Sequence, residues 1–272
     1  MYILNNGKLT KNKNIISIED RGYLLGDAVF ETILYKDKDL ILFNLHLDRL
    51  ISSLKLVKIK AILDKGKLYQ DILKLIKKNK LSNKTTVIRI TISRVSNERG
   101  IDIHKKQGAC ITVKSSELKN DLRLKPITLD ISNIKRNEKS FISKIKSANY
   151  LENIIAKNDA IRAGYNDAIF TNNSGNVSSC TTSNIYFLQN NKFFTPPVSD
   201  GVLNGTIREF LIRKKKVAVR SIKIDKLLKC KEIFLSNSVY GIRPVTYIKK
   251  KLIGKNFDNT IKLNKFMLDK GI

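Results

Sequence analysis

The chain has 272 residues, 42% of them hydrophobic. That is enough for a sizeable core in one large or two modest domains, and it excludes an intrinsically disordered chain. The formal net charge is +28, but lysines are spread through almost every segment. The runs Lys214–Lys216 and Lys249–Lys251 are short, far apart and not interleaved with aromatics. The charge is therefore read as solvated surface that favours a small anionic substrate, not as a nucleic-acid platform. Cys110, Cys180 and Cys230 are odd in number and widely separated, and only His46 and His104 could add imidazole ligands. A disulfide framework and a metal site are thus not expected, and a reducing cytoplasm is the simplest setting. No apolar run of about 18 residues suggests a membrane span, and residues 1–7 lack the basic head and apolar core of an export signal.

In chain order, Ala28–Tyr35 and Leu40–Phe43 read as two strands of a hairpin turning through residues 36–39. Asn44 is placed to cap a helix in which Leu47, Leu50, Ile51 and Leu54 recur at helical spacing. Leu68, Ile72, Leu75 and Ile76 repeat that spacing in a second helix. Val87–Ile92 alternates, with Arg89 and Thr91 on its polar face, and Cys110–Val113 is a further short strand. A polar stretch closing at Pro126 marks a boundary. We expect an N-terminal domain over residues 1–116, a linker over 117–125 and a C-terminal domain over 126–272. The second domain reads as a strand at Ile127–Ile131, then Lys146 with its rival Lys144 on one strand face, and a helix in which Tyr150, Leu151, Ile154, Ile155 and Ile161 share a face, with Gly164 at the C-cap position. Strands follow at Ala168–Thr171, Asn184–Leu188, Lys192–Thr195 and Ile233–Ser236, with a helix at Thr206–Lys214. The fold class is α+β, two domains with antiparallel or mixed sheets, and the groove between domains is the default ligand site.

No P-loop, HExxH, GxSxG or GxGxxG motif is present. Acid–base chemistry must then rest on Lys, Tyr, Thr, carboxylates or a cofactor. Composition cannot single out one lysine among so many, but pattern can. Ser143-Lys144-Ile145-Lys146-Ser147-Ala148-Asn149-Tyr150-Leu151-Glu152-Asn153 resembles the cofactor-lysine segment of the fold-type IV pyridoxal-phosphate enzymes. These are the branched-chain and D-amino-acid aminotransferases and aminodeoxychorismate lyase. Arg21–Thr32, His46-Leu47-Asp48-Arg49-Leu50, Thr181-Thr182-Ser183-Asn184, Thr195-Pro196-Pro197 and Gly205-Thr206-Ile207-Arg208 resemble further family motifs in family order, so the resemblance spans nearly the whole chain.

The resemblance implies a D-amino-acid-aminotransferase-like fold with pyridoxal 5′-phosphate in the groove between domains. It implies a Schiff base at Lys146, phosphate binding by Arg49, the Thr206 and Ile207 amides and Ser238, and a cofactor contact from Tyr150. It also implies a homodimer. These residue types suit the chemistry. A neutral lysine amine attacks an aldehyde and, once displaced, moves protons at the substrate carbon. An arginine and a helix N-terminus suit a phosphate. Lys144 is the rival lysine; the family spacing to Asn149-Tyr150 selects Lys146.

One position departs from the pattern. The family usually has a glutamate five residues before the asparagine of the Thr181–Asn184 motif, where it pairs with the protonated ring nitrogen; here that residue is Ser179. A neutral hydroxyl replaces a charge-assisted bond, a loss of roughly 1–2 kcal/mol. Phe30-Glu31-Thr32 and Leu235–Val245 resemble the lyase more than the transaminases, with Thr32 assisting the chemistry. The implied reaction releases pyruvate from 4-amino-4-deoxychorismate and leaves 4-aminobenzoate for folate synthesis. Aromatisation drives it, so a weaker electron sink is tolerable. Arg99 is offered as a substrate-carboxylate contact. The alternatives are a transaminase of branched-chain or D-amino acids using 2-oxoglutarate, and an impaired family member with a binding role.

Overall fold

The computed structural model describes residues 1–11, 13, 16–95, 100–103 and 107–272. It divides into an N-terminal unit, Met1–Asn120 with Lys146–Asn149, and a C-terminal unit, Asp121–Ile145 with Tyr150–Ile272.

The N-terminal unit contains β1 (Tyr2–Asn5), β2 (Lys8–Lys11), α1 (Arg21–Leu25), β3 (Ala28–Lys36), β4 (Asp39–Leu40), α2 (Phe43–Leu56), α3 (Lys65–Lys78), β5 (Thr86–Val95) and β6 (Gly108–Glu117). Among the described residues its strands form one antiparallel sheet in the order β2-β1-β6-β5-β3-β4. The β3–β4 hairpin turns through Asp37 and Lys38, both left-handed (φ 50° and 66°), the geometry that matches the twist of a tight hairpin. Helix α2 packs on β3, and α3 packs on β1 and β6. Leu47, Leu50, Ile72, Leu75 and Ile76 are buried beneath them, each contributing roughly 1.5–3 kcal/mol.

The second hairpin strand ends at Leu40, short of the expected Phe43, and Asn44 is not the cap. Leu42 takes the N-cap position at φ 54° without a side-chain cap bond, and Phe43 starts the helix. Packing overrides capping here: the Phe43 ring meets Tyr69 of α3 edge-on at 5.2 Å.

The C-terminal unit contains β7 (Ile127–Ile131), α4 (Leu151–Arg162), β8 (Asp167–Thr171), β9 (Val177–Cys180), β10 (Asn184–Gln189), β11 (Lys192–Thr195), α5 (Thr206–Arg213), β12 (Val217–Val219), α6 (Ile224–Leu227), β13 (Ile233–Asn237), β14 (Gly241–Ile248), β15 (Lys251–Leu252) and α7 (Asp258–Leu268). Its mixed sheet runs β12-β11-β10-β13-β14-β7-β8-β9, with β15 on β14. One face buries Leu129, Ile169, Ile185, Phe187, Ile233, Leu235 and Val245. β7 and β8 are parallel, so the chain between them must cross over, and α4 lies in that crossover.

The apolar face of helix α4 points outward rather than onto the sheet. Asn153, Ala156 and Ala160 are buried, the alanines against Ala168 and Phe170, while Leu151, Ile154, Ile155 and Ile161 are 69%, 53%, 44% and 54% exposed. Small residues let the helix lie close to the sheet and leave the isoleucine stripe outward. The expected linker at 117–125 also shifts. β6 continues to Glu117 and the division follows Asn120. Residues 146–149 belong with the N-terminal unit because they bond to its sheet. Among the described residues no helix is long and apolar enough to cross a membrane.

Candidate active site

β4 is only two residues long and covers β3 only at Tyr35 and Lys36. The Ala28–Phe30 edge of β3 is taken by the segment after Ile145. The Phe30 N–H donates to the Lys146 carbonyl at 2.9 Å, the Ala148 N–H donates to Ala28 at 2.8 Å, and Ser147 bridges Val29. The expected strand through both candidate lysines is absent: Phe141–Lys144 is a 3-10 turn capped by Ser140. Lys144 is exposed and belongs to the C-terminal unit, whereas the Lys146 backbone is fixed on β3. Its Nζ lies 4.3 Å from the centroid of the Phe30 ring.

Strand alternation then sorts the neighbours of Lys146. Phe30 and Thr32 share one face of β3. In register beside them stand Thr91 and Arg89 of β5. The Arg89 guanidinium stacks on Phe30 at 3.8 Å, and its Nε donates to Thr91 Oγ1 at 3.2 Å.

The opposite face of β3 carries Glu31, fully buried under α2. His46 and Arg49 sit three residues apart on α2 and converge on it. Arg49 donates from Nε to Oε1 and from Nη2 to Oε2, both at 2.7 Å, and His46 Nδ1 donates to Oε2 at 2.6 Å. Burial pushes the Glu31 carboxyl up, but the Arg49 charge and the bonds from His46 and Arg49 outweigh it and bring it down to about 2. Burial holds the His46 imidazole below its ordinary value against the pull of Glu31; Arg49 and Lys146 push the same way.

In the C-terminal unit, Thr206 and Ile207 form the first turn of α5, both buried. Gly205 is the N-cap, and a Cβ there would come within 2.0 Å of Asn184 Oδ1. Asn184 in turn donates to the Leu203 carbonyl at 2.9 Å, so the asparagine of the Thr181–Asn184 motif shapes the turn that presents the α5 amides. Ser238 follows β13 in a turn where Asn237 Oδ1 accepts from the Val239 and Tyr240 N–H groups at 3.0 and 3.1 Å. Tyr150 is the half-buried N-cap of α4. Ser179 is half-buried on β9, next to Ser178, whose hydroxyl donates to the Gly201 carbonyl. The carboxylate on the adjoining strand, Asp167, is held by the Thr181 hydroxyl and lies 3.9 Å from Lys157 Nζ. Arg99 lies outside the described residues.

Sequence reasoning gave no role to three residues at these sites. Glu31 was signalled by a lone charge within the apolar strand Ala28–Tyr35, and Arg89 by its alternating position. Arg208, third in α5, is 3% exposed and its Nε has no hydrogen-bond partner among the described residues. Nothing in the sequence marks its burial. In the N-terminal unit the Lys146 amine suits an aldehyde, and in the C-terminal unit the buried first turn of α5, with the Arg208 charge beside it, suits a phosphate; each matches one end of a phosphate-bearing aldehyde cofactor.

The class IV aminotransferase model matches residues 28–248. A candidate branched-chain-amino-acid aminotransferase of Methanocaldococcus jannaschii is 29% identical over 262 residues, covering 93% of this chain and 90% of its own. The aminodeoxychorismate lyase of Bacillus subtilis is 26% identical over 251 residues, covering 90% and 86%. The crystal structure of a candidate 4-amino-4-deoxychorismate lyase from Legionella pneumophila superposes with TM-score 0.86 at 27% identity, over 96% of each chain. A solved structure of the same fold holds pyridoxal phosphate. The chain belongs to the class IV aminotransferase family and is a pyridoxal-phosphate-dependent enzyme of two-domain, α+β, fold-type IV architecture.

Proposed function

We propose that this enzyme is a lyase that releases pyruvate from 4-amino-4-deoxychorismate and leaves 4-aminobenzoate. The observation that carries the reading is the shared strand face: the Lys146 amine over Phe30, with Thr32 beside it and Arg89 stacked on the same ring. The Phe30-Glu31-Thr32 pattern and the names of the Bacillus and Legionella relatives support the same choice.

Pyridoxal phosphate, when bound, supplies an electron-withdrawing ring that stabilises charge at the substrate carbon bearing the amine. Lys146 holds the cofactor and then takes the proton from that carbon. The carbon–oxygen bond to the pyruvyl group breaks, and in this reading the Thr32 hydroxyl donates a proton to the leaving oxygen. Arg89 offers a guanidinium to a substrate carboxylate, the part first given to Arg99. Arg49, the Thr206 and Ile207 amides and Ser238 serve the phosphate, and Tyr150 contacts the ring. Ser179 gives the ring nitrogen a neutral hydroxyl, which an aromatising elimination tolerates better than two transamination half-reactions.

A homodimer is part of this reading, supported by the outward Leu151, Ile154, Ile155 and Ile161 stripe on α4. The three buried, unpaired cysteines support a cytoplasmic setting. The second reading, a transaminase of branched-chain or D-amino acids, draws on the Methanocaldococcus relative and on D-alanine aminotransferases 24–25% identical to this chain. Incubating the purified protein with 4-amino-4-deoxychorismate decides between them. Release of 4-aminobenzoate supports the lyase. Transamination with 2-oxoglutarate and no 4-aminobenzoate overturns it.

A further inference from the structure

Arg208 is a buried cation that makes no ion pair among the described residues. Its residue is 3% exposed, and its Nε has no hydrogen-bond partner among the described residues. Its other nitrogens meet neutral oxygens: Nη1 donates to Asn204 Oδ1 at 2.7 Å and Nη2 to the Pro196 carbonyl at 2.9 Å. The nearby ionisable groups do not neutralise it. Burial pushes the Tyr186 phenol up, so it stays protonated, with its hydroxyl bonded to Ser236 at 2.8 Å. Glu209 is engaged by Arg213 and by Asn204 Nδ2. Burial pulls the Arg208 guanidinium down, and Tyr186 and Glu209 offset that only in part, which is the mark of a desolvated charge.

Its direction is also defined. Side chains of a helix lean toward the N-terminus, and the bond to Asn204, the residue before the Gly205 cap, places the guanidinium behind the first turn of α5. The positive end of the helix dipole lies at the same place. Two fields of one sign, both shielded from water, are balanced only by an anion outside that turn.

We propose that Arg208 is a positioning residue for the anion site at the start of α5, and that the anion is the dianionic phosphate monoester of the cofactor. It acts without touching the phosphate. Its charge strengthens the field of the helix end, and its hydrogen bonds to Asn204 and Pro196 hold the turn that aims the Thr206 and Ile207 amides. This rests on the reading that the cofactor phosphate lies at α5.

The test titrates cofactor-free protein with pyridoxal 5′-phosphate and, separately, with pyridoxal, which lacks the phosphate, following absorbance. Replacing Arg208→Met should weaken pyridoxal 5′-phosphate binding roughly 10- to 100-fold, as expected for losing a buried charge several ångströms from a dianion. Pyridoxal binding should change less than about 3-fold, and Arg208→Lys should recover most of the phosphate-dependent part. An equal loss for both ligands, or no loss for either, overturns the proposal. If the wild-type protein binds neither ligand, the cofactor reading at α5 fails, and inorganic phosphate followed by ³¹P NMR becomes the probe. Binding that depends on Arg208 then sustains the anion site, and binding that does not removes it. Should neither variant fold, the wild-type holoenzyme still decides. Its bound phosphate should remain dianionic well below the ordinary second phosphate pKa of about 6. A phosphate that titrates at that ordinary value contradicts the proposal.

Discussion

Arg49 and Glu31 meet through two parallel hydrogen bonds of 2.7 Å, one guanidinium edge against both carboxylate oxygens, under α2 and away from water. The pair fixes the guanidinium in one orientation, and His46 completes the coordination of the carboxylate from one helical turn away. For the phosphate role proposed for Arg49, a guanidinium held in one orientation is an advantage, and this arrangement supplies it.

Glu31→Gln leaves a buried arginine with a neutral partner. Breaking such a pair typically costs about 3–5 kcal/mol. The melting temperature should fall by many degrees, and pyridoxal 5′-phosphate affinity should fall with it. Calorimetry together with an absorbance titration checks both, and an unchanged melting temperature would show that the pair holds nothing.

The same cluster sets an acid limit in two steps. The folded-state values of both groups lie below their unfolded ones, so both stabilise the fold at neutral pH and lose that contribution on acidification. His46, held below its ordinary 6.5, is lost first, as pH falls under that value. Glu31, at about 2 against an ordinary 4.5, contributes about 3 kcal/mol that drains away below pH 4.5. Melting curves from pH 8 to 3 should show stability falling through both windows. His46→Asn should flatten the upper window and Glu31→Gln the lower.

Ser179→Glu introduces a carboxylate at the position where the family resemblance implies one. If the serine weakens the electron sink by about 1–2 kcal/mol, the variant should gain roughly tenfold in the half-reaction with branched-chain or D-amino acids. Stopped-flow spectra of single turnovers measure this. A slower half-reaction would place Ser179 away from the ring nitrogen.

Ile155→Asp puts a charge in the outward apolar stripe of α4, where the side chain is 44% exposed and supports no core of its own chain. Sedimentation equilibrium should show a dimer becoming a monomer with little loss of helix content. A wild-type monomer would rule out this surface as the subunit contact.

Much of the frame was legible because local chemistry and packing agree in it. β3, β5, β7, β8 and β11 announce themselves through alternating or continuous apolar runs bounded by turn residues. The errors arise where tertiary contacts outrank local signals. Phe43 joined the helix for its contact with Tyr69. The α4 stripe has a clear period, but periodicity says only that one stripe is apolar, not whose surface covers it. The segment before Lys146 looks like a strand, yet its pairing partner is the short open edge of β3, more than a hundred residues earlier. Motif order is what points to Lys146, Arg49, Thr206, Ile207 and Ser238 as the proposed cofactor residues. Glu31 shows only as a lone charge in an apolar strand, and Arg208 carries no signature until its burial and partners are known.

In the proposed mechanism everything turns on Lys146 as the residue that carries the cofactor. Borohydride reduction of the purified, pyridoxal-phosphate-loaded enzyme, followed by mass mapping of its peptides, tests this directly. The phosphopyridoxyl mass should appear on the peptide at Lys146, and Lys146→Ala should lose it together with the visible absorption band. A label on Lys144 or another lysine, or a wild-type protein that takes up no label, would contradict the account.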